Sequence, residues 1–368
     1  MSELWRPSEH EPLAGDEWSE EGAEAAIAAI VADTEAAYDG TRWPAVSADV
    51  EPFYSEVYFG GAGIIWALHE LGSTGWADAS LSFLDHIRVQ PAAVEYETPM
   101  SYTFGELGVA LVAFLLTGDS GVGDRVHELV LADLELETNE VMNGRPGKLL
   151  AAEAMLAWTG EQRWSAVWDA LADDVLAARD EDGMWTQQLG RPDRILGVAH
   201  GFAGNARALA NRRSFEVDSV LAAHVRRDGP LVNWPPAEGD SPEKMRVQWC
   251  HGAPGIVAAL GDFMDEDLAV AGGELTWRAG PLAKGSGLCH GTAGNAYAFL
   301  VLHQRTGDDV WLDRARAFGM HAIAQVARER EQLGRGRYSL LAGDIGVALF
   351  LRHLLDGKSD FPTLRPFN

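Results

Sequence analysis

Seven times along the chain a Gly-x-x-Gly turn runs into an apolar segment, and this recurrence limits what the 368 residues can fold into. The copies are Gly60-Gly61-Ala62-Gly63, Gly105-Glu106-Leu107-Gly108, Gly144-Arg145-Pro146-Gly147, Gly201 to Gly204, Gly252 to Gly255, Gly291 to Gly294 and Gly343-Asp344-Ile345-Gly346. Their first glycines are separated by 45, 39, 57, 51, 39 and 52 residues. A period of about 50 kept over most of the chain is the mark of a repeat architecture and argues against division into separate domains. Residues 1–18 read as an irregular arm, and residues 19–368 as one seven-repeat domain.

The segments after the turns are apolar nearly all round, as in Val109-Ala110-Leu111-Val112-Ala113-Phe114-Leu115-Leu116, which predicts helices buried on every side. Between them lies a second set with one apolar stripe. Trp164, Val167, Trp168, Leu171 and Val175 fall at helical spacing, and less regular stripes occur near 76–88, 123–135, 217–226, 264–271 and 310–327. An alanine-rich helix is expected over 19–38, started by Ser19-Glu20-Glu21. Alternation of the two kinds predicts an all-α fold with inner and outer layers, seven helical hairpins closing into an α/α toroid. Neither terminal repeat reads as a polar cap, which favours closure over an open solenoid. Three stretches are read as non-helical insertions before turns four to six, namely Trp185 to Leu196, Asn233 to Val247 and Thr276 to Gly287. They gather loops on one face.

The formal net charge of −26 argues against nucleic acid and anionic membrane as partners, since both would be repelled. It suits a soluble protein. No apolar run is long enough to cross a bilayer, and the N-terminus has neither the basic start nor the apolar segment of a secretory signal. A soluble, cytoplasmic monomer is therefore expected.

The two cysteines of the chain occupy one register in consecutive repeats, Trp249-Cys250-His251-Gly252 and Leu288-Cys289-His290-Gly291. In a cytoplasmic chain such matched motifs point to metal ligation or a reactive thiol rather than a disulfide. Cys250, Cys289 and His290 make a zinc set with one position left for substrate. His251 and His200 (Val198-Ala199-His200-Gly201) share the register of His290 and are open to roles as a fourth ligand or as an acid/base group. The competing reading is that His-Gly pairs are cap or core features copied by duplication. No Lys-Ser/Thr follows a turn, as a P-loop requires. Neither His-x-Glu nor Cys-x-x-Cys is present, as a zinc deaminase requires.

Trp249-Cys250-His251-Gly252-Ala253-Pro254-Gly255 and Lys284-Gly285-Ser286-Gly287-Leu288-Cys289-His290-Gly291-Thr292-Ala293-Gly294-Asn295-Ala296-Tyr297 resemble the LanC-like family of lanthionine synthetase cyclases. The resemblance runs from the first glycine turn to the seventh. It implies a seven-hairpin toroid and Zn2+ held by Cys250, Cys289 and His290. It also implies addition of a thiol to a dehydroalanine or dehydrobutyrine side chain of a dehydrated peptide or protein, forming a thioether. By the same resemblance His200 is the general acid, Arg246 stabilises the enolate, and Glu140, where many cyclases carry Asp, orients the acid/base histidine. An Arg246 paired with a surface carboxylate, a Glu140 at a solvated helix end and a His200 packed in the core are the alternatives from the residues alone. His251 stands where bacterial lantibiotic cyclases often carry an aromatic. This wording, with Gly144-Arg145-Pro146-Gly147, is more similar to the stand-alone branch known from eukaryotes, whose members are associated with glutathione, so the thiol donor is either a peptide cysteine or glutathione. A non-catalytic zinc and glutathione binder is the alternative outside enzymes. A carbohydrate-active toroid is a further one, but the turn registers carry His and Cys rather than the facing carboxylates it needs.

Overall fold

The computed structural model describes residues 4–45, 55–89, 98–133, 138–188, 192–210 and 212–364. The last part of the expected 123–135 stripe and residues 189–191 of the first insertion lie outside these. Fourteen α-helices occur among the described residues, and they alternate between two kinds as the sequence pattern predicts. Seven begin at the glycine turns: α2 (Gly61–Glu70), α4 (Glu106–Thr117), α6 (Arg145–Thr159), α8 (Phe202–Ala210), α10 (Ala253–Leu260), α12 (Thr292–Thr306) and α14 (Asp344–Asp356). The other seven are α1 (Glu20–Ala36), α3 (Ala77–Ile87), α5 (Ser120–Leu131), α7 (Gln162–Ala177), α9 (Asp218–His224), α11 (Glu266–Ala279) and α13 (Asp309–Leu333).

The first set forms the inner ring. Each of its helices packs on the next in sequence, and α14 returns to α2, so the ring is closed. Leu107 to Ala113 in α4 are buried without interruption, as all-round hydrophobicity requires. The second set packs outside. Helix α1, which precedes the first glycine turn, packs against α14 and α13 and thereby supplies the outer partner of the last inner helix. The chain is an α/α toroid.

The repeat has a steric cause. At the second glycine of each turn, an added Cβ would collide with the carbonyl oxygen six residues earlier. The separations would be 1.7 Å for Gly255 against Trp249 and 1.6 Å for Gly294 against Leu288. The same i−6 carbonyl stands within 2.2 Å at Gly63, Gly108, Gly147, Gly204 and Gly346. Backbone therefore packs on backbone at the start of every inner helix, and only glycine fits. At the opposite end, α4 and α12 close with a left-handed Gly118 or Gly307 followed by an aspartate that caps the outer helix, through Asp119 to Val122 N and Asp308 to Val310 N.

The backbone just before the inner helices is joined in a crown. Leu288 and Cys289 donate to the Leu341 carbonyl, Leu341 to Tyr58, Val57 and Tyr58 to Thr103, and Thr103 to Met142. The loops before turns four to six lie at this end. Two short antiparallel hairpins were not expected from the sequence: β1 (Gln187–Gln188) with β2 (Pro192–Asp193), and β3 (Arg226–Asp228) with β4 (Leu231–Asn233). Thr276 and Trp277, expected in the third insertion, instead belong to α11. The Thr276 hydroxyl bonds back to the Gly272 carbonyl and Trp277 packs on Phe299 and Phe318, so the helix gains core contact by running to Ala279. The stripe near 217–226 is cut short because Arg226 begins β3.

Gly346→Ala is expected to destabilise the fold by about 1–3 kcal/mol through overpacking against the Leu340 carbonyl and the Leu288 side chain. Gly357→Ala, with φ +69° but open space around it, should cost only about 1 kcal/mol. Urea unfolding of the two variants measures the difference.

Candidate metal centre

Cys250 and Cys289 sit in the turns that start α10 and α12, two neighbouring inner helices. Three side-chain bonds hold these turns in register. The Asn295 amide, on the first turn of α12, donates to the Val247 carbonyl at 2.9 Å. The Asn233 carbonyl oxygen accepts from Ala253 N at 2.7 Å and so caps α10. Its amide donates to the Arg246 carbonyl at 3.0 Å. Gly252 has φ +106°, a backbone that glycine alone adopts without strain, and a Cβ there would also strike the Arg246 carbonyl.

The result is a compact group. One ligand atom each from Cys250, Cys289 and His290 lies within 4.8 Å of the others, the two cysteines being buried and His290 exposed. Cys289 Sγ and His290 Nε2 are 3.8 Å apart. Tetrahedral zinc bonds put neighbouring S and N ligand atoms roughly 3.6–3.8 Å apart, so the donors and their spacing fit that ion. Neither His200 nor His251 belongs to this group.

Gln248 Nε2 donates to Cys250 Sγ at 3.0 Å, and Lys284 Nζ donates to Gln248 Oε1 at 3.2 Å. The sequence reading had passed over both. Their signal is the period-2 placement of Gln248 before Cys250 and the cation at the head of the second motif. Burial raises the Cys250 thiol, but hydrogen bonds from Cys289 and His290 outweigh it and hold this thiol well below its ordinary range. Burial and the adjacent Cys250 push Cys289 well above it, against the pull of Tyr58 and Lys284. Tyr58 is itself driven far upward by burial and by Cys289, and stays a neutral phenol.

Beside the group stands a second constellation. His200 Nδ1 lies 2.8 Å from Glu140 Oε2. Glu140 is fully buried and accepts backbone N–H bonds from Met142 and Asn143 at 3.0 and 2.5 Å, so it is no solvated helix-end charge. Burial disfavours charge on His200, but the Glu140 carboxylate and, more weakly, Cys250 win, and its pKa is raised from the ordinary 6.5. His251 behaves oppositely, because burial lowers it and the charges of His200, His290 and Arg246 reinforce that over the pull of Cys250. Its Nδ1 is buried with no hydrogen-bond partner among the described residues. Arg246 sends its hydrogen bonds to the carbonyls of Glu243, Lys244 and Met245 and lies 3.9 Å from Glu9. It therefore meets the Glu9 carboxylate and lies near enough to His251 to disfavour charge there.

A recess lined by Arg207, Asp262, Gln304, Arg305 and Phe361 lies at the other end of the inner helices and contains none of these groups.

A model of the family described as lanthionine synthetase C-like protein matches residues 51–365. The chain belongs to this family. It is 37% identical to the LanC-like protein GCL1 of Arabidopsis thaliana over 256 residues, which is 61% of this chain and 57% of that one. It is 36% identical to a zebrafish (Danio rerio) protein named glutathione S-transferase LANCL1 over 188 residues, 46% of this chain and 45% of that one. The matches thus span about half the length of these curated relatives. Among solved structures, nisin cyclase shares the fold with a TM-score of 0.56 at 18% identity, over 90% of this chain and 93% of that one.

Glu140→Gln removes the anion that raises the His200 pKa. The His200 pKa is then expected to fall, and NMR titration of its ring should show the drop. An unchanged midpoint would refute the pairing.

Proposed function

We propose that the chain is a zinc-dependent thioether-forming enzyme that adds a thiol to the β-carbon of a dehydroalanine or dehydrobutyrine residue in a dehydrated peptide or protein. The observation that carries this reading is the convergence of Cys250, Cys289 and His290 beside half-buried His200 and its buried partner Glu140. Zinc bound by those three residues would lower the pKa of a substrate thiol and present it as a thiolate near pH 7.

The remaining work falls to protein groups. Gln248, held by Lys284, donates to the Cys250 sulfur and fixes its orientation. As the substrate sulfur forms its bond to the β-carbon, the C=C electron pair shifts onto the acyl group as an enolate, which needs a cation or donor. Arg246 supplies it in this reading, after leaving its carbonyl partners and Glu9. His200 then gives its proton to the α-carbon, while the proton shed by the thiol passes through His251 to solvent, from which His200 is recharged, so that S–H adds across C=C with no atom left over. Glu140 raises the His200 pKa and so extends upward the pH range over which that proton is held. His251, held neutral by its surroundings, is suited to accept a proton from the incoming thiol.

Glutathione is favoured as the thiol donor over a peptide cysteine, on the name of the zebrafish relative. Purified protein should contain about one zinc per chain, and Cys250→Ala or Cys289→Ala should lose both zinc and activity. Incubation with glutathione and a dehydroalanine peptide should yield the adduct mass. Thiol binding without adduct would leave a non-catalytic binder, and full activity without zinc would overturn the reading. The rate with wild type should fall at alkaline pH as His200 loses its proton, and in Glu140→Gln this fall should move to lower pH. A pH–rate profile of both proteins, with His251 and Cys250 as the other titrating neighbours, checks the sign.

A further inference from the structure

The bore of the toroid is occupied by the chain's own C-terminal segment. After α14 ends at Asp356, residues Ser359 to Leu364 are nearly all buried. The Ser359 hydroxyl donates to Gln304 Oε1, near the end of α12, at 2.6 Å. Phe361, 3% exposed, lies flat on Trp249 with ring centroids 4.0 Å apart and planes 7° from parallel. It also meets the edge of Tyr297, on α12, at 5.0 Å. The Thr363 carbonyl accepts from the Tyr102 hydroxyl at 3.2 Å. Tyr102 precedes the second inner helix and Trp249 the fifth, which are on nearly opposite sides of a sevenfold ring. One short segment touching both must lie between them.

Thr363 has φ +73°, the only positive φ at a non-glycine residue among those described. Such a backbone costs energy and persists where its surroundings hold it. The segment is therefore a plug seated from the far end of the inner helices, where Phe361 and Leu364 also line the recess described above. Its Phe361 ring reaches Trp249, whose neighbour in sequence is Cys250. Trp249 is also the residue whose carbonyl meets Gly255 at the tightest approach but one in the fold. A ring that slides sideways at Trp249 has no slack to absorb the movement before Cys250.

We infer that Phe361 is a positioning residue for the metal centre, acting through its stack on Trp249 to fix where Cys250 stands relative to Cys289 and His290. The inference rests on the metal reading proposed above and extends it to the C-terminal segment. A merely structural plug would support the barrel but leave the ligand geometry alone.

The test compares wild type, Phe361→Leu and Phe361→Tyr. Leucine keeps an apolar plug without the ring, at the stability cost of a smaller core residue that thermal unfolding records, whereas tyrosine keeps the stack. Zinc affinity is read by chelator competition, ligand geometry by the visible spectrum of the Co2+-loaded protein, and fold by thermal unfolding. Phe361→Leu should bind zinc about tenfold or more weakly, as loss of outer support around a metal does, with a shifted Co2+ spectrum. Phe361→Tyr should restore both. Leu and wild-type proteins equal in zinc affinity and spectrum, whatever their melting temperatures, overturn this inference alone. A wild-type chain that holds no zinc overturns the metal reading and this inference with it.

Discussion

Everything in this molecule hangs on a contact between two backbones. Where each inner helix begins, a glycine lies against the carbonyl oxygen six residues before it, too close for any side chain. That approach folds the preceding residues back over the helix start. Because it recurs seven times, the residues before the seven helices all arrive at one end of the ring. Cys250, His251, Cys289, His290 and His200 stand at that position in their repeats. The chemistry is gathered by the same constraint that builds the barrel.

What the fold then adds is discrimination among like positions. Three histidines share one register, yet they differ in charge preference. His200 faces a buried carboxylate fixed by two backbone N–H groups, and is stabilised as a cation. His251 faces burial and other cations, and is stabilised neutral. His290 is exposed beside two sulfurs. A repeat fold thus offers equivalent sites that neighbouring loops and carboxylates turn into different groups.

Much of this was legible in the chain. The glycine spacing and the two hydrophobic patterns were enough for two layers and seven hairpins, because steric and burial rules act locally. Cys250, Cys289 and His290 were legible as a set because their register repeats. Gln248 and Asn295 were not, since an amide that steadies a neighbour leaves no periodic trace and matters only through the contact it makes. The end of α11 was misjudged for a related reason. Thr276 and Trp277 look like loop residues among Pro and Gly, but packing on Phe299 and Phe318 keeps them helical. Arg246 could be read as a catalytic cation or as the partner of a carboxylate, and the structure sets it on three backbone carbonyls and 3.9 Å from Glu9, contacts made only once its loop folds.

The pairing of α1 with α14 has a consequence for how the protein comes into being. The backbone of Cys289 hangs on Leu341, and Leu341 on Tyr58, so a ligand in the sixth repeat is secured by the seventh and the first. During synthesis the N-terminal helix must wait, its apolar side uncovered, until the last inner helix leaves the ribosome. Only then does the ring shut and the cysteine pair settle. The nascent chain is thereby kept from holding a finished thiol centre before it has a finished wall around it.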